Sequence, residues 1–129
     1  MLAIDTNVLV RYLTRDDARQ AKRAAAAIDG GPVFIPSTVL LEAEWVLRTL
    51  YRIPPKEICA ALRTLAGQPT VVLENAAATG AAMSWAEQGM DFADALHLAA
   101  SSHCAAFISF DRSLAKRAKR IAGLPVRTP

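Results

Sequence analysis

Residues 2–13 read LAIDTNVLVRYL, and this stretch decides the fold. Leu2-Ala3-Ile4 is a short apolar run ending at Asp5, and it reads as a buried strand. Thr6 and Asn7 are helix-capping types, and Val8, Leu9, Tyr12 and Leu13 follow at helical spacing. An apolar strand thus runs through an acid straight into a helix. The rest of the chain repeats that pattern. Arg15 to Ile28 reads as a second helix stopped by Gly30-Gly31, and Pro32 introduces the strand Val33-Phe34-Ile35, closed by Pro36. Ser37 or Thr38 caps a long helix from about Val39 to Tyr51. Pro55 starts the next helix, carrying Ile58, Leu62 and Leu65, and Gly67 and Pro69 break it. Val71-Val72-Leu73 is a third strand. Helices over 75–87 and 92–103 follow, then a strand at 106–110, a helix over 113–121, and a short edge strand opening at Val126.

Apolar strands without alternation, separated by helices, predict a mostly parallel sheet covered on both faces. The expected architecture is α/β, a three-layer α/β/α sandwich with a central sheet of four to five strands. One domain over residues 1–129 accounts for the chain, since no repeat, linker or low-complexity tract interrupts it.

Composition narrows the class. Of 129 residues, 53% are hydrophobic and 21% charged, the balance of a globular chain and the reverse of disorder. No apolar stretch approaches the roughly 18 residues of a membrane span. The opening MLAID lacks the basic and apolar regions of a signal peptide, so a cytoplasmic protein is expected. Cys59 and Cys104 have neither zinc spacing nor a CxxC partner, and buried free thiols are expected. A net charge of +3 permits a polyanionic partner without requiring one.

In open parallel sheets, ligands bind beyond the carboxyl ends of the strands. Asp5 follows the first strand directly, and Asp111 follows the fourth almost directly. Asp94 lies in the first turn of a helix, three residues after Asp91, and Glu42 lies early in the long helix after the second strand. Each has an ordinary explanation: Asp5, Asp91 and Asp111 suit N-caps, first-turn acids suit the helix dipole, and Glu42 can face water. The pattern they form together weighs more. Leu40, Leu41, Ala43 and Trp45 surround Glu42, and Phe92-Ala93 with Ala95-Leu96 surround Asp94, expensive settings for lone charges. Two carboxylates about 5 Å apart repel by roughly 3 kcal/mol at an effective dielectric near 20. Oxygen-only donors favour Mg²⁺ or Mn²⁺ as the relieving cation, there being no His/Cys set for zinc.

DTNVLV after an opening strand, the glutamate in PSTVLLE, then DFADALHLAA and the late FISFD together resemble the PIN-domain family, most closely the VapC-type toxins of prokaryotic toxin–antitoxin pairs. The resemblance implies a metal-dependent endoribonuclease. It implies an acidic quartet of Asp5, Glu42, Asp94 and Asp111, with Asp5 and Asp94 as the best-matched metal ligands. Asp91 either joins the metal shell or caps its helix, and its position suits the cap better. Thr6, Asn7, Ser37 and Ser109 are implied to orient carboxylates or water, beside a capping reading that is equally open for Ser37. His97 reads as a surface histidine rather than a base, and Trp45 and Trp85 as core or interface anchors. Arg11, Arg15, Lys116, Arg117, Lys119 and Arg120 offer contacts to flanking phosphates, beside the ordinary reading of solvated helix faces. The implied partners are RNA, a small cognate antitoxin and a second copy of the chain in a homodimer, with apolar surface around Val8, Leu9, Tyr12, Leu47, Leu50 and Tyr51 as candidates.

Other classes fit less well. A haloacid-dehalogenase-like phosphatase needs an aspartate two residues after Asp5, where this chain has Asn7. A receiver domain needs an aspartate after the third strand, where it has Glu74-Asn75. The remaining alternative is a PIN scaffold that binds RNA or protein without cutting.

Overall fold

The computed structural model describes all residues, 1–129, and divides into two compact units, Met1–Ala76 and Ala77–Pro129. Seven helices alternate with five parallel strands, the α/β pattern expected.

In the first unit, β1 (Leu2–Ala3), β2 (Val33–Ile35) and β3 (Val71–Leu73) form a parallel sheet in the order β1-β2-β3. Leu2 pairs with Val33, and Val33 with Val71. The middle strand is the buried one, with Val33 and Ile35 fully enclosed. β1 was expected to be buried, yet Leu2 and Ala3 are exposed and only Ile4 is enclosed, because β1 is an edge strand here.

The connecting helices are α1 (Thr6–Thr14), α2 (Ala18–Asp29), α3 (Ser37–Thr49) and α4 (Pro55–Ala66). α1 packs against α2 and α3, and α4 against α3 and β3. Leu9, Ile28, Leu40, Leu47, Ile58, Leu62 and Leu65 supply the buried faces. Their recurrence at three- and four-residue spacing is the pattern of a core-facing helix.

Two local details move helix ends away from the positions expected from sequence. Arg15 has φ +56°, in the left-handed region, and ends α1 there, so α2 begins only at Ala18 after Asp17 caps it through the Gln20 N–H at 2.9 Å. Pro36, and neither Ser37 nor Thr38, occupies the N-cap of α3 and offers no side-chain oxygen. The Ser37 N–H is satisfied instead by Glu74 Oε1 at 2.9 Å, from just beyond β3.

The second unit contains α5 (Ala76–Glu87, its first residue belonging to the preceding unit), α6 (Phe92–Ala100), β4 (Phe107–Ile108), α7 (Arg112–Ile121) and β5 (Val126–Arg127). β4 and β5 pair in parallel, Phe107 with Val126 and Ile108 with Arg127, and α7 packs on β5. Hydrogen-bonded pairing therefore forms a three-stranded and a two-stranded sheet, where the sequence suggested one. Strands of two or three residues, about half the usual length, carry little ladder. The turn between α5 and α6 passes through Gly89 at φ +105°, a conformation that a side chain would strain. α6 stops at Ala100, short of His103. Of the two free cysteines, Cys59 is buried as expected and Cys104 is exposed. No helix is long and apolar enough to cross a membrane.

Candidate active site

The carboxyl ends of β1 and β3 lead into the acids Asp5 and Glu74. The ladder extends one step past β1 and β3, through Ile4 N–H to the Phe34 carbonyl and Glu74 N–H to the Ile35 carbonyl, each at 3.2 Å. Asp5 and Glu74 thus emerge at the same carboxyl-terminal end of the sheet, from its two outer strands, with the Ser37 N–H at the start of α3 bonded to Glu74. Asp5 is an exposed N-cap whose Oδ1 accepts the Thr6 N–H at 2.8 Å. Thr6 is buried, and Asn7 is exposed and lines a cleft of about 380 Å³ with Val8, Arg11, Gln20 and Arg23.

Glu42 is exposed on α3, despite its apolar neighbours in sequence. The acid that α3 buries is Glu44, 3% exposed and held by Arg48 Nε at 2.9 Å. Apolar neighbours in sequence did not separate the two, because both sit in the same apolar context and only the helix phase decides which one turns inward.

Arg11, expected as a phosphate contact, is engaged within the unit. It donates to both carboxylate oxygens of Asp16, at 2.9 and 3.1 Å, to Gln20 at 2.7 Å and to the Tyr51 hydroxyl at 3.0 Å. Tyr51 and Thr14 hydroxyls also donate to Asp16, at 2.7 and 2.9 Å, and these hydrogen bonds, with Arg11, hold its carboxyl down at about 2. The sequence carries no sign of this clasp, which joins α1, the α1–α2 loop and the end of α3 through unrelated spacings.

In the second unit three carboxylates share one electrostatic neighbourhood. Asp91 is the N-cap of α6, its Oδ2 accepting the Asp94 N–H at 3.1 Å. Asp111 is the N-cap of α7, its Oδ1 accepting the Leu114 N–H at 3.0 Å, while its own N–H donates to Ser109 Oγ at 3.0 Å. Asp94 is half-buried and is no cap. Burial, and then the charges of Asp91 and Asp111, push its carboxyl above the usual range, with His97 and Arg117 pulling partly the other way. Arg117 itself donates to the Gly89 carbonyl. Ser109 thus holds the Asp111 backbone rather than its carboxylate.

No group of three or more His, Cys, Asp or Glu side chains is drawn tightly enough to form a ready-made metal cage. The fit to a metal rests on donor chemistry. Asp94 carries an oxygen donor whose ionised form is disfavoured by burial and then by the like charges of Asp91 and Asp111, and a hard dication would relieve that cost.

A family model described as PIN domain matches residues 2–120, nearly the whole chain and all the acids named above. No curated protein matches.

Proposed function

The chain belongs to the PIN-domain family, a family of nucleases that typically use Mg²⁺, and from that premise we propose that it is a metal-dependent endoribonuclease, the toxin of a toxin–antitoxin pair. The observation that carries the reading is Asp94: a half-buried carboxyl kept costly to ionise by its burial and then by the charges of Asp91 and Asp111. Structural acids are ordinarily paired with cations, whereas a carboxylate set against other carboxylates suits a site that awaits a cation.

In this proposal Asp5, Glu42, Asp94 and Asp111 are the acids on which cleavage depends, Asp5 and Asp94 holding Mg²⁺ or Mn²⁺. When bound, the metal supplies Lewis acidity toward a phosphodiester and lowers the pKa of water. The chain's own part is to hold those oxygens in place. Capping hydrogen bonds fix the Asp5 and Asp111 side chains at helix starts, and Ser109 fixes the Asp111 backbone. Asp91 is proposed as a cap and as a source of negative charge. Thr6, Asn7 and Ser37 are supporting groups, Ser37 through its backbone bond to Glu74. The products would carry 5′-phosphate and 3′-hydroxyl ends.

A small antitoxin and a second copy of the chain complete the proposal. Leu9 and Leu47 are buried and cannot serve such an interface, while Trp45 and Leu50 of the α3 region are exposed and available. Light scattering of the pure protein tests the dimer, and a neighbouring reading frame for a small DNA-binding protein supports the toxin role.

The decisive experiment incubates the full chain with a panel of RNAs in Mg²⁺, with and without EDTA, beside Asp5→Asn and Asp94→Asn. Both variants should lose cleavage by roughly 100-fold or more while remaining folded. Undiminished cleavage in either folded variant overturns the assignment. RNA binding without cleavage by the parent protein would establish the silent scaffold instead.

A further inference from the structure

Phe110 is 82% exposed, and Ile108, two residues earlier, is 54% exposed. A single exposed apolar residue needs no explanation. What distinguishes Phe110 is its company. The next residue is Asp111, and α7 begins one residue later with Arg112. Arg112, Lys116, Lys119 and Arg120 are all exposed, at the spacing of one helix face, opposite the buried Leu114 and Ala118. From Arg112 to Arg120 the stripe runs about 12 Å at 1.5 Å per residue.

This face differs from an ordinary solvated one, which mixes signs and gains from pairs four residues apart. Here Arg112 with Lys116, and Lys116 with Arg120, are like charges at that spacing, and the ion pairs Arg11–Asp16 and Arg48–Glu44 lie elsewhere in the chain. Arg112 also lies in the first turn, the end of the helix that disfavours a cation. Asp111 is the single acid from Phe107 to Arg127. The helix therefore carries repulsion that nothing in this segment relieves, and a polyanion would relieve it. An aromatic ring at the head of a cationic track is how single-stranded nucleic acid is held: the ring takes a base face and the cations take phosphates.

Resting on the nuclease reading, we propose that Phe110 is a stacking platform for one base of single-stranded RNA, with the α7 stripe holding the phosphates that run from it. The pairing of ring and acid then has a purpose. It sets an unpaired nucleotide beside Asp111, and it selects loops and single strands, because paired bases keep their faces within the duplex stack.

The test is fluorescence anisotropy of the full chain with a labelled single-stranded RNA and with a fully paired duplex of the same sequence, both in EDTA so that no cleavage intervenes. Phe110→Ala should weaken single-strand binding roughly 5- to 150-fold, leave duplex binding unchanged, and be rescued by Phe110→Trp. Lys116→Ala with Lys119→Ala should flatten the salt dependence by about 0.7 in slope for each phosphate that is no longer neutralised. Unchanged single-strand binding by Phe110→Ala overturns the proposal, as does an equal loss on duplex. Conversion of a dimer to monomers by Phe110→Ala with RNA affinity intact would assign the ring to a protein interface and overturn it too. If the parent chain cleaves RNA while Phe110→Ala binds normally, stacking alone fails. If the parent neither binds nor cleaves any RNA, the nuclease reading fails with it.

Discussion

Asp111 has two jobs to separate, one in holding α7 and one in chemistry, and replacing it by asparagine or by alanine separates them. Its Oδ1 accepts the Leu114 N–H at 3.0 Å, the N-cap bond of a helix that buries only Leu114 and Ala118. With so little packing behind it, α7 depends on that cap. Alanine loses the bond, about 1 kcal/mol, and the favourable anion at the helix start, about 0.3–1 kcal/mol more. Asparagine keeps an acceptor of equal capping strength and loses only the second contribution. For a chain of this size about 1 kcal/mol corresponds to roughly 3–5 °C in Tm. Asp111→Ala should therefore melt about 4–10 °C below the parent by circular dichroism, and Asp111→Asn only about 1–5 °C below. On the proposed assignment both should fail to cleave RNA in Mg²⁺. If asparagine destabilises as much as alanine, the cap is not what the side chain contributes. If asparagine cleaves at the parent rate, Asp111 is a structural acid and leaves the catalytic set.

Asp94→Asn should stabilise the protein at neutral pH. The folded carboxyl lies above its ordinary range, so ionisation there opposes folding. That penalty is complete above the folded pKa and fades as pH falls through the interval down to the unfolded value, so parent and variant should converge in urea melts under acid conditions. Asp16 behaves oppositely: its carboxyl, ordinarily near 3.8, sits at about 2, so its contribution is present at neutral pH and is lost as pH falls between those values. Tyr51→Phe removes the largest cause and should raise the Asp16 midpoint in an NMR titration; an unmoved midpoint contradicts the clasp. Glu44→Ala should cost about 1–3 kcal/mol in urea unfolding, less than the roughly 3–5 kcal/mol of a fully buried pair because Arg48 remains 35% exposed. A loss below about 0.5 kcal/mol, on the order of a surface pair, would mean that the bridge is not what keeps Glu44 inside.

The alternation of strands and helices was legible because Gly30-Gly31, Pro32, Pro54-Pro55 and Gly67 punctuate the chain where apolar periodicity changes. Asp91 as a cap was legible for the same local reason. Solvent exposure was not. β1 reads as buried from Leu2-Ala3-Ile4, but whether a strand is central or an edge is a property of its neighbours. Glu42 and Glu44 share one apolar context, and a difference of two residues, about 200° around the helix, reverses their fates. Glu74 stood out in the sequence only as the wrong residue for a receiver domain. Its bond to Ser37, 37 residues away, depends on parallel pairing that no local pattern encodes. Phe110 lies in an apolar run, FISF, which reads as a strand interior, so its exposure could be found only in three dimensions.

The two-unit division has a consequence for the life of the protein during synthesis. The first sheet is complete once Leu73 has been made, and the α3 start is satisfied one residue later by Glu74. Since domains fold from the N-terminus as they emerge from the ribosome, the first unit can mature while the second is still being translated. That nascent intermediate carries Asp5 and Glu42 but neither Asp94 nor Asp111. On the proposed assignment it is harmless to the RNA-rich machine that is making it, and the capacity to cut is acquired only after residues 94–111 have followed, at about 5–20 residues per second.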